Sequence, residues 1–130
     1  MTKILVVEDN PLNMELVIEI LSSKGITVHK AVDGEEAIRK TEREVYDLIL
    51  MDIELPGKDG VEVTKIIKVK YKNMPVIALT SYAMKGDKER FLSAGFDDYI
   101  AKPLDIPEFI NKIDKYTKVG DKLEKCPESS

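Results

Sequence analysis

The stretch Asp47-Leu48-Ile49-Leu50-Met51-Asp52 decides the fold of this chain. Four consecutive apolar residues between two carboxylates are typical of a strand that is covered on both faces, as in a parallel sheet. Ligands of open α/β sheets bind beyond the carboxyl ends of the strands, which is where Asp52 stands. The stretch therefore predicts a buried parallel strand and indicates Asp52 as the candidate reacting group.

Other apolar runs along the chain also stop at a polar residue. They are residues 4–7 with Glu8 and Asp9, and residues 76–79 with Thr80. A short last strand is predicted at residues 98–101, and Lys102 follows it directly. Because the strands of a parallel sheet all point the same way, the residues that follow them meet at one edge of the sheet. We therefore expect these four polar residues to share one edge with Asp52.

Helical patterns alternate with the strands. Asn10 and Pro11 suit the cap and the first position of a helix, apolar residues then recur at helical spacing, and Gly25 suits a left-handed helix end. The remaining predicted elements are a short strand at residues 26–31 and helices at residues 35–44, 61–71, 84–94 and from residue 106 onward. Five strands alternating with five helices predict an α/β fold with a doubly wound parallel sheet.

The apolar content of the strands indicates which of them lie at the centre of the sheet. The runs at residues 4–7 and 48–51 are the most uniformly apolar and suit the centre of the sheet, which favours the (βα)5 flavodoxin-like order 2-1-3-4-5. The switch point of that order lies between the first and third strands, beside Asp52. Residues 53–60 contain one proline and two glycines, so we predict a loop there, at the same edge.

Composition predicts one domain with protein or small-molecule partners. The chain of 130 residues is 43% hydrophobic and 34% charged, and we assign residues 1–118 to the domain and residues 119–130 to a flexible polar tail. The formal net charge of −4 argues against a nucleic-acid partner. Cys126 is the single cysteine and the N-terminal apolar run is too short for a membrane span, so we expect a cytoplasmic chain with no membrane partner.

Three carboxylates at one sheet edge indicate a divalent cation. Glu8, Asp9 and Asp52 would repel one another, and a hard cation with oxygen ligands relieves the repulsion most simply. Mg²⁺ usually takes one or two carboxylates and leaves positions for a phosphate. A carboxylate can accept a phosphoryl group, and Lys102 and Thr80 are placed to offset the charge of that group. The residues thus indicate phosphoryl chemistry at Asp52, with Mg²⁺ as cofactor.

The chain carries five motifs in a fixed order. They are Val7-Glu8-Asp9-Asn10, residues 47–52, Leu55-Pro56 with Gly60, Thr80-Ser81, and Tyr99 with Lys102-Pro103. Together they resemble the response regulator receiver domain of two-component signalling, and the resemblance covers residues 3–116. Asn10, Asn13 and residues 83–87 further resemble single-domain, chemotaxis-regulator-like proteins of the bacterial cell-cycle type.

The resemblance implies a role for each residue of the site. Asp52 would accept the phosphoryl group from a phosphohistidine of a sensor kinase, Lys102 would contact it, and Thr80 would hydrogen-bond it. The implied ligands of Mg²⁺ are Glu8 (largely through water), Asp9, Asp52 and the backbone carbonyl of Glu54.

The resemblance also implies a conformational switch and protein partners. Tyr99 would swing inward as Thr80 moves, which changes the face formed by the fourth helix, the fifth strand and the fifth helix. The expected partners are a histidine kinase or histidine phosphotransfer protein and a downstream protein target, with the chain acting as an effector or as a phosphorelay intermediate. Glu54 and Tyr82 border the path of an attacking water in this family, and we predict that they tune the lifetime of the phosphorylated form.

Simpler explanations exist for each residue taken alone. An acidic pair can cap a helix, Thr80 can be a satisfied hydroxyl, and His29 is best explained as a packed or solvated side chain. Two other functions also use these residue types: a magnesium-dependent hydrolase or phosphotransferase, and a scaffold that no longer takes phosphate. The complete residue set and the lack of a further base favour a receiver that catalyses only its own phosphorylation and dephosphorylation.

Overall fold

Strands and helices alternate along the whole described part of the chain. The computed structural model describes residues 2–55, 57, 60–81 and 87–117. The strands are β1 (Lys3–Val7), β2 (Thr27–Ala31), β3 (Leu48–Asp52), β4 (Val76–Thr80) and β5 (Asp98–Ala101), and the helices are α1 (Pro11–Ser23), α2 (Gly34–Arg43), α3 (Gly60–Lys70), α4 (Asp87–Ser93) and α5 (Ile106–Thr117). The sheet is parallel with the order β2-β1-β3-β4-β5, which confirms the predicted α/β fold and strand order.

Alternate residues of the central strands enter two separate cores, one on each face of the sheet. On one face Leu5 and Ile49 pack with the buried side of α3, including Ile67, while on the other face Ile4 pairs with Leu48 beneath α1 and α5. Every residue of β3 and β4 is buried. Burial on both faces explains why these strands are continuous apolar runs rather than alternating ones.

The start and end of α1 follow the sequence signals. The Asn10 side chain accepts hydrogen bonds from the backbone N–H groups of Leu12 and Asn13, at 2.9 and 3.1 Å. Gly25 has a φ of 79°, the left-handed conformation that glycine adopts most readily. The helix therefore begins two residues after the acidic pair at positions 8 and 9.

One boundary prediction was wrong, and it bears on the site. Gly60 was predicted in the loop, but it is the first residue of α3, and its N–H donates to the Ile53 carbonyl oxygen at 3.1 Å. A Cβ at Gly60 would lie well inside contact distance of the Asp52 carbonyl oxygen and 3.0 Å from Ile53 Cα. The glycine therefore lets α3 begin directly against the end of β3, and it does not mark a turn.

Two other predictions fall partly outside the described residues. The fourth helix was predicted over residues 84–94, and its described part begins at Asp87. Residues 119–130, predicted as a tail, lie outside the described part of the chain, as do Pro56, Tyr82 and Cys126. Among the helices of the described residues, none has the length and apolar content needed to cross a membrane.

Thr64 in α3 carries a buried polar group whose effect on stability can be tested by substitution. Its hydroxyl group is buried and makes no hydrogen bond within the described part of the chain. Because a buried polar group without a partner is destabilising, Thr64→Val should raise the free energy of unfolding by about 1 kcal/mol, measured by urea denaturation.

Thr117 is the matched control for this substitution. It is also buried, but its hydroxyl group donates to the Ile113 carbonyl oxygen at 2.8 Å. Thr117→Val should therefore leave stability unchanged or lower it. If Thr64→Val lowers stability as much as Thr117→Val does, the Thr64 hydroxyl group is bonded in solution.

Candidate functional site

The carboxylates that follow β1 and β3 meet at the carboxyl edge of the sheet. Val7 and Met51 are register partners, so Glu8, which follows β1, and Asp52, the last residue of β3, lie side by side. One carboxylate oxygen from each of Glu8, Asp9 and Asp52 lies within 4.8 Å of the others. Glu8 and Asp52 are both buried, while Asp9 is exposed. The structure thus brings together the acidic residues that the sequence predicted.

Lys102 completes the cluster from the far side. Its Nζ lies 3.2 Å from Asp52 Oδ2 and 3.4 Å from Glu8 Oε1. The backbone N–H of Lys102 donates to the Thr80 carbonyl oxygen at 2.8 Å, which anchors the lysine to the end of β4. The ammonium group is therefore held beside the carboxylates by the backbone of the sheet.

Two backbone N–H groups orient the buried carboxylates. The N–H of Glu54 donates to Asp52 Oδ1 at 2.9 Å, and the N–H of Asn10 donates to Glu8 Oε2 at 3.2 Å. The sequence predicted Asn10 as a helix cap, and the family resemblance implied a role for the backbone carbonyl of Glu54 but none for its N–H. Backbone donors leave no mark in residue type, so no sequence signal pointed to these two bonds.

Burial and neighbouring charges shift the pKa values of Glu8 and Lys102. Burial, together with the hydrogen bond and the negative charge of Asp52, raises the pKa of Glu8 from 4.5 to about 7. Burial alone would lower the pKa of Lys102, but the carboxylates of Asp52 and Glu8 outweigh it and raise that pKa. One ammonium group does not neutralise three carboxylates, so the cluster favours a further positive charge.

This donor set fits a hard divalent cation. It offers carboxylate oxygens only, close enough together to share one ion. Asp9 is exposed, so the cluster opens to solvent on one side and leaves room for the waters that Mg²⁺ retains. The geometry of this structure therefore agrees with the predicted magnesium cofactor.

The structure also describes most of the other residues that the sequence singled out. Thr80 is buried at the end of β4, and Tyr99 is half-buried in β5, with its ring centre 5.9 Å from that of Phe91 in α4. The Glu54 side chain is exposed, and Tyr82 lies outside the described residues. His29 bonds the hydroxyl group of Tyr46 at 2.8 Å, in agreement with a packed histidine.

We expect the metal-free protein to become less stable as Glu8 ionises. Its pKa is higher in the folded protein than the ordinary 4.5, so the stabilising contribution is complete below pH 4.5 and is lost as the pH rises through about 7. The free energy of unfolding of the wild type, relative to Glu8→Gln, should fall by roughly 2 to 3 kcal/mol over that interval. Urea denaturation in EDTA at a series of pH values measures the difference. If the difference in the free energy of unfolding between the wild type and Glu8→Gln stays constant with pH, the pKa of Glu8 is not raised.

Comparisons with known proteins agree with this geometry. The sequence model of the response regulator receiver domain family matches residues 4–114. The chain is 44% identical over 124 residues to the polar-differentiation response regulator DivK of Brucella ovis, and the alignment covers 93% of this chain and 99% of that protein.

Two solved structures share the fold. The receiver domain of sensor histidine kinase PA1611 from Pseudomonas aeruginosa, with a magnesium ion coordinated in its active-site cleft, matches with a TM-score of 0.82 and 40% identity over 90% of this chain and 98% of that one. A chain from the complex of the Saccharomyces cerevisiae phosphotransfer protein Ypd1 with the receiver domain of Ssk1 matches with a TM-score of 0.84 and 27% identity, over 92% and 90%.

The fold and the site define the class of protein. A doubly wound parallel sheet that carries a carboxylate triad and a lysine at its carboxyl edge is the architecture of a phosphoryl-accepting signalling domain. The chain belongs to the response regulator receiver domain family. The family resemblance that the five motifs indicated is thereby confirmed.

Proposed function

We propose that Asp52 accepts a phosphoryl group from a phosphohistidine of a histidine kinase or a histidine phosphotransfer protein, in a magnesium-dependent reaction. The observation that carries the proposal is the position of Asp52. Its carboxylate is buried at the sheet edge, one oxygen accepts the Glu54 N–H, and the other faces Lys102 Nζ at 3.2 Å. A nucleophile that is fixed through both oxygens loses little freedom on reaction.

The transfer exchanges one bond for another. The N–P bond of a protonated phosphohistidine breaks, a neutral imidazole leaves, and an O–P bond forms to Asp52. Lys102, already beside the Asp52 carboxylate, neutralises charge on the incoming group, and the hydroxyl group of Thr80 donates a hydrogen bond to it. The groups that would hold Mg²⁺ are Glu8 (largely through water), Asp9, Asp52 and the Glu54 carbonyl, and the bound ion would supply further positive charge there.

Phosphorylation then changes a surface that a downstream protein recognises. Thr80 moves toward the phosphoryl group, Tyr99 swings inward, and the α4-β5-α5 face shifts between two packings. The lifetime of the phosphorylated form is tuned by Glu54 and Tyr82. The exposed Glu54 side chain, two residues after Asp52, supports that part of the proposal.

The same proposal covers the bounds of the domain, its cellular location, its catalysis and its partners. Residues 1–118 form the receiver domain, residues 119–130 form a flexible tail, and the protein works in the cytoplasm. It catalyses only its own phosphorylation and dephosphorylation. The net charge of −4 supports protein partners and argues against nucleic acid or a membrane surface.

Two roles follow from the same chemistry: control of a protein partner and transfer of the phosphoryl group onward in a phosphorelay. The complex of Ypd1 with the receiver domain of Ssk1 supports a phosphotransfer protein as one partner.

Phosphoryl uptake by Asp52 can be tested directly. The protein is incubated with Mg²⁺ and acetyl phosphate, and intact-mass spectrometry should show a gain of one phosphoryl group. If the protein neither gains a phosphoryl group nor binds Mg²⁺, a scaffold that takes no phosphate is the better explanation.

A further inference from the structure

Lys112 on α5 reaches β5 and contacts Tyr99 in two ways. Its Nζ donates to the backbone carbonyl oxygen of Tyr99 at 2.6 Å and lies 5.0 Å from the centre of the Tyr99 ring. The same ammonium group lies 3.3 Å from Asp98 Oδ1, and the Lys112 side chain is 22% exposed. Because the ammonium group is partly shielded from water, its contacts with the carbonyl and the ring are stronger than at an open surface.

Side chains hold the backbone of β5 at this position. β5 is an edge strand of the sheet, and the Tyr99 N–H donates to Asp98 Oδ1 at 2.8 Å while its carbonyl accepts from Lys112. The hydroxyl group of Tyr116, one turn further along α5, lies 3.3 Å from Asp98 Oδ2. The position of Lys112 is therefore fixed relative to the backbone of Tyr99 and does not follow the Tyr99 ring.

The Tyr99 ring lies between two helices. Phe91 of α4 packs against it at 5.9 Å, and the Lys112 ammonium group of α5 lies over its face. Tyr99 is the register partner of Ala78, and Thr80 is two residues further along the same strand, so Thr80 is on the same face of the sheet. A ring that buries itself toward Thr80 must move away from an ammonium group that is held by the backbone.

We propose that Lys112 is a positioning residue that holds Tyr99 in its half-buried orientation and so opposes the inward swing. This inference rests on the proposed function, in which Tyr99 moves inward on phosphorylation. The ammonium group contacts the ring only in the half-buried orientation of Tyr99, so the contact stabilises the population with that orientation alone. Lys112 thereby sets how much phosphorylation is needed to shift the α4-β5-α5 face.

The test follows Tyr99 by ¹⁹F NMR in protein labelled with 3-fluorotyrosine. The Tyr99 resonance is the one that is lost in Tyr99→Phe, and the protein is titrated with beryllofluoride in the presence of Mg²⁺. In the wild type the resonance should move on titration. In Lys112→Met it should start closer to the activated position, and half of the shift should need about tenfold less beryllofluoride.

Three variants separate this role from a general effect of charge or folding. Lys115→Met removes the same charge from the same helix at an exposed position 5.4 Å from the Tyr116 ring, and it should behave as the wild type. Lys112→Arg should restore the wild-type response, because arginine keeps a cation over the ring. Lys112→Gln, which keeps a donor but no charge, should lie between the wild type and Lys112→Met, and it serves as the test if Lys112→Met does not fold.

The outcomes distinguish this inference from the proposed function. If the wild type responds to beryllofluoride and Lys112→Met responds identically, the positioning role of Lys112 is wrong. It is also wrong if Lys115→Met shifts as far as Lys112→Met. A wild type whose Tyr99 resonance does not respond contradicts the inward swing of Tyr99 in the proposed function, while phosphoryl uptake by Asp52 is tested separately by mass spectrometry.

Discussion

Asp52→Asn is expected to lower the rate of phosphoryl uptake by roughly a thousandfold or more, because the substitution removes the nucleophile itself. Asparagine keeps the shape of the side chain and can still accept the Glu54 N–H through its amide oxygen. It has no carboxylate to form an acyl phosphate. Incubation with Mg²⁺ and acetyl phosphate, followed by intact-mass spectrometry, should therefore give no phosphorylated species within the time in which the wild type is converted.

A second measurement on the same variant tests the electrostatics of the cluster. Asp52 raises the pKa of Glu8 through a hydrogen bond and through its charge, while burial of Glu8 does not depend on Asp52. In metal-free Asp52→Asn the pKa of Glu8 should therefore fall below about 7 and remain above 4.5. Carboxyl NMR titration in EDTA measures this change. In an unfolded variant the pKa of Glu8 would instead return to its ordinary value of 4.5.

The control for this substitution removes the same charge nearby. Glu15 is exposed on α1 and takes no part in the proposed chemistry, so Glu15→Gln should be phosphorylated at the wild-type rate. If Asp52→Asn still gains a phosphoryl group, another residue is the acceptor, and peptide mapping would locate it.

The central part of the fold could be predicted because burial on both faces leaves a simple pattern. β3 and β4 are buried at every residue, so the sequence shows unbroken apolar runs that end where the sheet ends. The polar residues at those ends, Asp52 and Thr80, are then placed together by the parallel arrangement alone. Placing both residues at one edge of the sheet required no knowledge of the loops.

The parts that could not be predicted depend on where one backbone approaches another. The N–H of Asn10 that orients Glu8 is invisible in residue type. The reach of Lys112 to the Tyr99 carbonyl depends on how α5 packs on an edge strand. The sequence places Gly60 in a loop, because glycine is typical both of loops and of close backbone approaches and the sequence alone does not separate the two.

Gly60→Ala is expected to lower the free energy of unfolding by roughly 2 to 3 kcal/mol, because the added Cβ meets a backbone that cannot move aside cheaply. The Cβ would clash with the Asp52 carbonyl oxygen and lie 3.0 Å from Ile53 Cα, so either α3 or the end of β3 must shift. A shift of β3 displaces the acceptor relative to Lys102, and phosphoryl uptake should fall by about tenfold in the molecules that remain folded. Urea denaturation measures the first effect, and mass spectrometry with acetyl phosphate measures the second.

Gly25→Ala separates crowding at the site from the general effect of replacing a glycine. Gly25 has a φ of 79° with nothing near the added Cβ, so its substitution should lower stability by about 1 kcal/mol through backbone strain alone. It lies at the far end of α1 and should leave phosphoryl uptake unchanged. If Gly60→Ala changes stability no more than Gly25→Ala and is phosphorylated at the wild-type rate, then the contact between α3 and Asp52 does not fix the acceptor. The positioning of Asp52 would in that case depend on the Glu54 N–H and Lys102 alone.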